Sequence, residues 1–327
     1  MTKNRLPSEW LNDLAMPVIA APMFLVSSIE MVAEACRNGT IGSIPTVNAR
    51  TPEILDEWLA QLTARLDELR SAGEKVAPWS LSLITHSTNE RLKDDLELCA
   101  KYRPPLVITA LGSPKPALET IHSYGGLVFA DVNTPEYARK AVAAGADGLV
   151  LVCSGAGGHT GQLAAPAFIE AVREFYDGII VVGGSIGNGA AVRAAQTMGA
   201  DLVYVGTRLI SSEESSADPR YKQMVADCAS KDLVLTDAIT GAWSYKLRPS
   251  LEAVGIDPDT LVSRGKFDMN YAEKQPKAWK DIWSAGQGVG AIREIEPLAQ
   301  ILERIRKEYL ETILSEKNDF WSRRYAS

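Results

Sequence analysis

Residues 127–153 read LVFADVNTPEYARKAVAAGADGLVLVC, and this stretch decides the fold. It opens on an apolar run, passes through Thr134-Pro135, continues as an alanine-rich amphipathic segment, and halts at Gly145 before a second apolar run. Threonine followed by proline marks a helix start: the hydroxyl caps an orphan N–H, and proline has no N–H to leave unpaired. A glycine after the last helical turn adopts the left-handed conformation without steric cost and ends the helix. Both flanking runs are apolar throughout rather than alternating, as parallel strands covered on both faces must be. The unit is therefore strand–helix–strand. The AGAD phrase at 144–147 returns as MGAD at 198–201, again directly before an apolar run.

The same alternation extends in both directions. It predicts strands at 17–21, 41–45, 79–85, 106–109, 127–131, 148–153, 179–182 and 202–206. Helical patterns fall at 51–72, 88–100, 114–124, 134–144, 163–175 and 187–198. In the first of these, Ile54, Leu55, Trp58, Leu59, Leu62, Leu66 and Leu69 recur at the spacing of one helix face. Eight such strands alternating with helices match a (β/α)8 TIM barrel; a doubly wound sheet also alternates and stays open at this point. After 206 the regularity breaks. A helix is expected at 220–230, then an irregular segment with Pro249, Pro258 and Pro276, then a charged helix at about 294–316. The reading is a barrel over 1–225, a lid or appendage over 226–284, and a C-terminal segment at 285–327 whose helix returns to the barrel.

Bulk properties narrow the class. The chain has 327 residues, 46% hydrophobic, with 34 basic against 41 acidic side chains. A net charge of −7 leaves no basic surplus to neutralise a polyanion, which argues against a nucleic-acid partner. The N-terminus lacks the apolar core of a signal peptide, and no run approaches the ~18 apolar residues of a membrane span. A cytoplasmic protein without membrane partners is the expectation. Cys36, Cys99, Cys153 and Cys228 are scattered and read as reduced thiols.

Barrel chemistry gathers where strands end. After the seventh predicted strand comes Gly183-Gly184-Ser185-Ile186-Gly187-Asn188-Gly189, and after the eighth Gly206-Thr207-Arg208. Glycines let backbone N–H groups approach an anion, and a following helix adds partial positive charge. After the sixth comes Ser154-Gly155-Ala156-Gly157-Gly158-His159-Thr160-Gly161, whose four glycines suit a backbone lying flat against a planar ring. His159 is one of three histidines and is the catalytic candidate. His122 falls in a predicted helix and reads as a surface residue, whereas His86 follows the third strand and keeps a possible pocket role. No metal-ligand spacing occurs, Ser154 beside His159 does not sit in a G-x-S-x-G, and the 183–189 loop contains G-x-x-G-x-G rather than the G-x-G-x-x-G dinucleotide fingerprint.

Over about residues 17–316 the chain resembles the nitronate monooxygenase family, formerly 2-nitropropane dioxygenases, and its relatives the flavin-dependent enoyl-ACP reductases. The resemblance is carried by Ala21-Pro22-Met23, Gly155-Ala156-Gly157-Gly158-His159-Thr160-Gly161, Gly183-Gly184-Ser185-Ile186, Val205-Gly206-Thr207-Arg208 and Ala285-Gly286-Gln287-Gly288-Val289-Gly290. It implies an FMN-dependent barrel with the phosphate held by Gly183, Gly184, Gly206 and Thr207, and with Pro22 and Met23 bordering the ring. It further implies Gly157 close to the ring and His159 facing the substrate. Ser82, Asp131, Gly158, Val205 and Gln287 complete the implied cofactor set, with no metal ligand. Four positions depart from the family's habit: Ser82 for Asn, Asp131 for Lys, Gly155 for Glu and Val152 for Gln.

The activity so implied is oxidation of a small-molecule alkyl nitronate with O2. Two alternatives stay open: a flavin reductase using NAD(P)H on an enoyl thioester or quinone, and a non-catalytic barrel that binds a phosphate ligand. Residues 241–249 contain Trp243, Tyr245, Lys246 and Arg248 and read as a lid loop with its basic residues in solvent.

Overall fold

A computed structural model describes residues 4–265, 279–316 and 318–320. Pro276 and part of the expected lid lie outside the described residues.

Eight parallel strands close into a barrel. Six come first: β1 (Val18–Ala20), β2 (Ile41–Pro45), β3 (Trp79–Ile84), β4 (Leu106–Ala110), β5 (Leu127–Val132) and β6 (Gly148–Val152). A two-residue strand, β7 (Gly158–His159), leaves the ring, which β8 (Ile179–Gly183) and β9 (Leu202–Val205) complete. Before and between them run α1 (Ser8–Asp13), α2 (Ile29–Arg37), α3 (Pro52–Ser71), α4 (Leu92–Tyr102), α5 (Lys115–His122), α6 (Pro135–Ala144), α7 (Ala165–Arg173) and α8 (Gly189–Thr197). Helix starts follow the expected chemistry. The Thr51 and Thr134 hydroxyls accept from the N–H groups of Ile54 and Tyr137. Gly145 ends α6 at a φ of 103°, as its place in the sequence requires.

The sequence pattern did not isolate α2. Its nine residues, IEMVAEACR, nevertheless carry one buried apolar face (Met31, Val32, Ala35, Cys36), and Ser28 caps it by accepting from Met31 N–H. All four cysteines are buried and unbridged.

The interior of the barrel is set by strand register. Inward side chains stack in layers drawn from alternate strands. Ile19, Ser80, Phe129 and Val181 form one layer, with Ser43, Ile108, Val150 and Tyr204 above it. Ala21, Ser82, Asp131 and Gly183 come next, and Pro45, Ala110, Val152 and Gly206 form the rim at the C-terminal ends. Ile41, Leu106 and Leu202 lie lowest, where Trp10 of α1 closes the floor with its ring centroid 6.4 Å from that of Phe129. Each large side chain buried here contributes about 1.5–3 kcal/mol.

Beyond the barrel lie α9 (Pro219–Asp227), β10 (Leu233–Thr236), β11 (Ser244–Leu247), α10 (Arg248–Ala253) and α11 (Leu298–Glu316). Helix α11 buries Leu298, Ile301, Leu302 and Ile305 in the barrel's outer core. The segment expected to be irregular is in part a sheet: β10 and β11 form a hairpin, and β11 pairs antiparallel with β7. Strands this short, one of them Gly-His, carry no readable period.

Candidate functional site

The two ends of the barrel strands differ in access to solvent. Ile84, Ala110 and Val152, the last residues of β3, β4 and β6, are half-buried, while the residues before them in those strands are buried. Pro22, Met23, Asp131, Gly184, Gly206 and Thr207 are half-buried too. The C-terminal mouth is therefore open and mostly apolar.

One side of this mouth is an anion cradle. Gly184 and Ser185 have φ of 130° and 60°, which turns successive N–H groups outward after β8. Among the described residues no protein acceptor is found for the N–H groups of Ser185, Ile186, Gly187 or Thr207. Helix α8 begins directly after them, with Asn188 capping it through Ala191 N–H at 2.8 Å. Free N–H groups at a helix start suit a phosphate. A planar ring over the rim and a phosphate in this cradle fit the residues present.

The expected site residues divide on inspection. Gly183 and Ser82 lie in the layer below the rim and are buried, and a Cβ on Gly183 would stand 3.3 Å from Tyr204 Cβ. Val205 turns its side chain into the helix layer, and its carbonyl accepts from Ala21 N–H at 3.0 Å, so its side chain does not reach the mouth. Alternation explains this: Tyr204 faces inward, so Val205 faces out. Arg208 also turns away, pairing at 2.9 Å with the buried Glu296.

Gly155 and Gly157 are glycines because the segment 285–287 packs on them. A Cβ on Gly155 would meet the Ser185 hydroxyl and the Gln287 amide, and one on Gly157 would stand 2.9 Å from both Gly286 N and Thr207 Oγ1. The Gln287 N–H donates to Gly155 O at 2.9 Å, and Gly286 N–H donates to Thr207 Oγ1 at 2.8 Å. Gln287 Nε2 donates to the Tyr245 hydroxyl at 3.0 Å, while Ser185 Oγ donates to Gln287 Oε1 at 3.2 Å. The volume that a side chain at 155 would need is thus occupied by Ser185 and Gln287.

His159 is held on β7 opposite Ser244. Its Nε2 lies 3.4 Å from Thr240 Oγ1, and the Trp279 ring meets it edge-on at 5.1 Å. Burial, then the charge of Lys246, lower its pKa to about 4, so the imidazole is neutral at physiological pH. His122 ends α5 and pairs with Asp147 at 2.8 Å, while His86 Nδ1 contacts Thr88 Oγ1 at 2.8 Å within its own turn.

Lys246 is the residue the sequence reading misjudged. It is not in solvent: it is fully buried, two residues along β11 from Ser244 and on the same sheet face as His159. Its Nζ donates to Ser284 Oγ at 2.9 Å and lies 3.6 Å over the Trp279 ring. Among the described residues no carboxylate pairs with it, and burial lowers its pKa to about 7. A four-residue strand reading SYKL gives no sign of this, because the sheet that buries it is assembled from distant segments.

Asp131 faces inward one layer below the rim. Burial raises its pKa to about 7, opposed by the Tyr204 hydroxyl. No group of three or more potential ligands that could hold a metal occurs among the described residues, and no described helix is long and apolar enough to cross a membrane.

Comparison with known proteins agrees with this geometry. Residues 8–308 match the family model for nitronate monooxygenase. A putative monooxygenase of Mycobacterium tuberculosis is 29% identical over 64% of this chain and 60% of its own length, so the match spans under two thirds of that relative. A nitronate monooxygenase of Neurospora crassa is 25% identical over 94% of this chain and 92% of its own. FabK from Thermotoga maritima superposes with a TM-score of 0.79 at 24% identity, covering 95% of this chain and 97% of that one, which shows a shared barrel fold.

Proposed function

The chain belongs to the nitronate monooxygenase family of oxidoreductases, and on that footing we propose that it binds FMN across the barrel mouth and oxidises alkyl nitronates with O2, with His159 as its base. The observation that carries this reading is the setting of His159: an imidazole at the mouth, fixed on a strand and neutral down to about pH 4.

A neutral imidazole takes the proton from the carbon beside the nitro group of a neutral nitroalkane, forming the nitronate that is then oxidised, whereas an imidazolium has no lone pair to offer. Lys246, on the same sheet face, places positive charge near the anion so formed. The N–H groups of Ser185, Ile186, Gly187 and Thr207 would hold the cofactor phosphate, with Gly183, Gly184 and Gly206 giving the backbone its approach. Pro22 and Met23 would border the ring, Gly157 and Gly158 would pass along it, and Gln287 would brace the loop that carries them. Bound flavin would supply the electron acceptor that no side chain of this site provides.

The test is anaerobic mixing of the purified holoprotein with ethyl nitronate, NADH or NADPH while flavin absorbance is followed. Bleaching by the nitronate is the expected result. Bleaching by a nicotinamide alone would overturn nitronate oxidation in favour of the reductase reading. A colourless protein that also fails to bind added FMN would overturn both.

A further inference from the structure

The barrel core beneath the mouth contains polar atoms that nothing in the protein satisfies. Ser43 Oγ, Ser80 Oγ, Asp131 Oδ1 and Tyr204 Oη are each buried, and among the described residues the two serine hydroxyls have no hydrogen-bond partner while the Asp131 carboxyl and the Tyr204 hydroxyl face only each other. The register sets all four on the inner face, in three successive layers. Most barrels fill these layers with branched apolar residues. Here the layer of Asp131 is otherwise Ala21, Ser82 and Gly183, all small residues. A buried hydroxyl or carboxyl oxygen without a partner costs about 1–3 kcal/mol, so several within one core are untenable if the space is dry. Polar walls, small neighbours and several unsatisfied atoms are the conditions under which buried water is held.

We infer that this region is a hydrated chamber in which ordered water joins Ser43, Ser80 and Tyr204, and that Asp131 is its proton-exchanging outlet to the barrel mouth. Asp131 is placed for that role because one carboxyl oxygen is buried in the chamber while the residue as a whole is half-exposed at the mouth. Tyr204 is the titratable group that faces it. Strands β2 and β3 contribute serine hydroxyls, β4 and β6 contribute apolar side chains, and no cation among the described residues bears on it. With its pKa raised to about 7, the carboxyl is poised to give or take a proton at physiological pH, with the chamber water to resupply it. This is independent of whether the substrate is a nitronate, since it concerns the protein's own carboxyl.

The experiment is an infrared titration of the holoprotein, with Asp131→Asn and Tyr204→Phe alongside and a high-resolution crystal structure of the wild type. A protonated-carboxyl band that persists at about pH 6, titrates near neutrality and vanishes in Asp131→Asn is expected. Tyr204→Phe should move that midpoint upward by about one unit, because the tyrosine hydroxyl favours the ionised carboxylate; a purely structural tyrosine would leave it in place. The crystal structure should contain at least one water bonded to Asp131 or Tyr204 within the barrel. A core with no water, or a carboxyl fully ionised by about pH 5, would overturn the inference. If Asp131→Asn does not fold, the Tyr204→Phe shift and the crystal structure still decide.

Discussion

The floor and the mouth of this barrel are built from the same eight strands to opposite specifications. At the floor, Ile19, Ile41, Leu106, Phe129 and Leu202 fill the interior and are completely buried, with Trp10 closing the end. Toward the mouth, Ala21, Ser82, Asp131 and Gly183 replace them, and the Asp131 carboxyl and Tyr204 hydroxyl are buried there, while Ser80 carries an unpartnered hydroxyl down to the layer of Ile19 and Phe129. Packing at the floor stabilises; unsatisfied polarity at the mouth costs stability and is tolerated because the floor offsets it. Fold and chemistry are thus separated along the barrel axis rather than around it.

His159→Ala presses hardest on this division. Turnover should fall by about 10²–10⁴ while flavin absorbance stays with the protein, because the cradle at 183–187 and 206–207 does not involve the histidine. Near-normal turnover would remove His159 from the mechanism. At the other end, Phe129→Ala should cost about 3–5 kcal/mol in denaturant unfolding. Gly148 has no room for a Cβ because the Phe129 ring already fills that space, so little collapse is available to soften the loss. A cost below about 1 kcal/mol would mean that the floor is not where stability resides.

Lys246→Met is a finer probe. Removing a charge that depresses the imidazole should raise the His159 midpoint from about 4, by roughly one unit, as read by NMR titration or by the acid limb of the rate profile. The variant should also be at least as stable as wild type at neutral pH. The folded-state pKa of Lys246 is depressed from 10.5 to about 7, so the penalty for burying its charge is complete below 7 and fades as pH rises toward 10.5. An unmoved midpoint would break the link between the two residues. Smallest of all, Ser82→Ala at the mouth should change unfolding stability by less than about 1 kcal/mol, against the several expected for Phe129. A larger loss would extend the structural core up to the mouth.

Much of this was legible in the chain. Thr134, Pro135 and Gly145 announce the ends of α6 by local chemistry, and all eight barrel strands fall at the predicted runs, none extending more than one residue beyond them. Glycine spacing at strand ends singled out the candidate cradle residues and His159. Val205 was misplaced because a motif names neighbours without saying which side chain faces in. Helix α2 went unpredicted although it is amphipathic, and the sheet of β7, β10 and β11 was hidden because it is assembled from segments far apart in the chain.

The sequence by itself determined the strands, most of the helices and the glycine-rich loops, because each rests on interactions among residues close in the chain: caps, left-handed stops and apolar runs. Only the tertiary structure decided the protonation of the site. Residues 131 and 204, and 159 and 246, are far apart in sequence. The neutral imidazole, the uncompensated lysine and the raised carboxyl follow from which of these groups share one low-dielectric interior. Desolvation depends on everything packed around a group, and that information is spread over the whole fold.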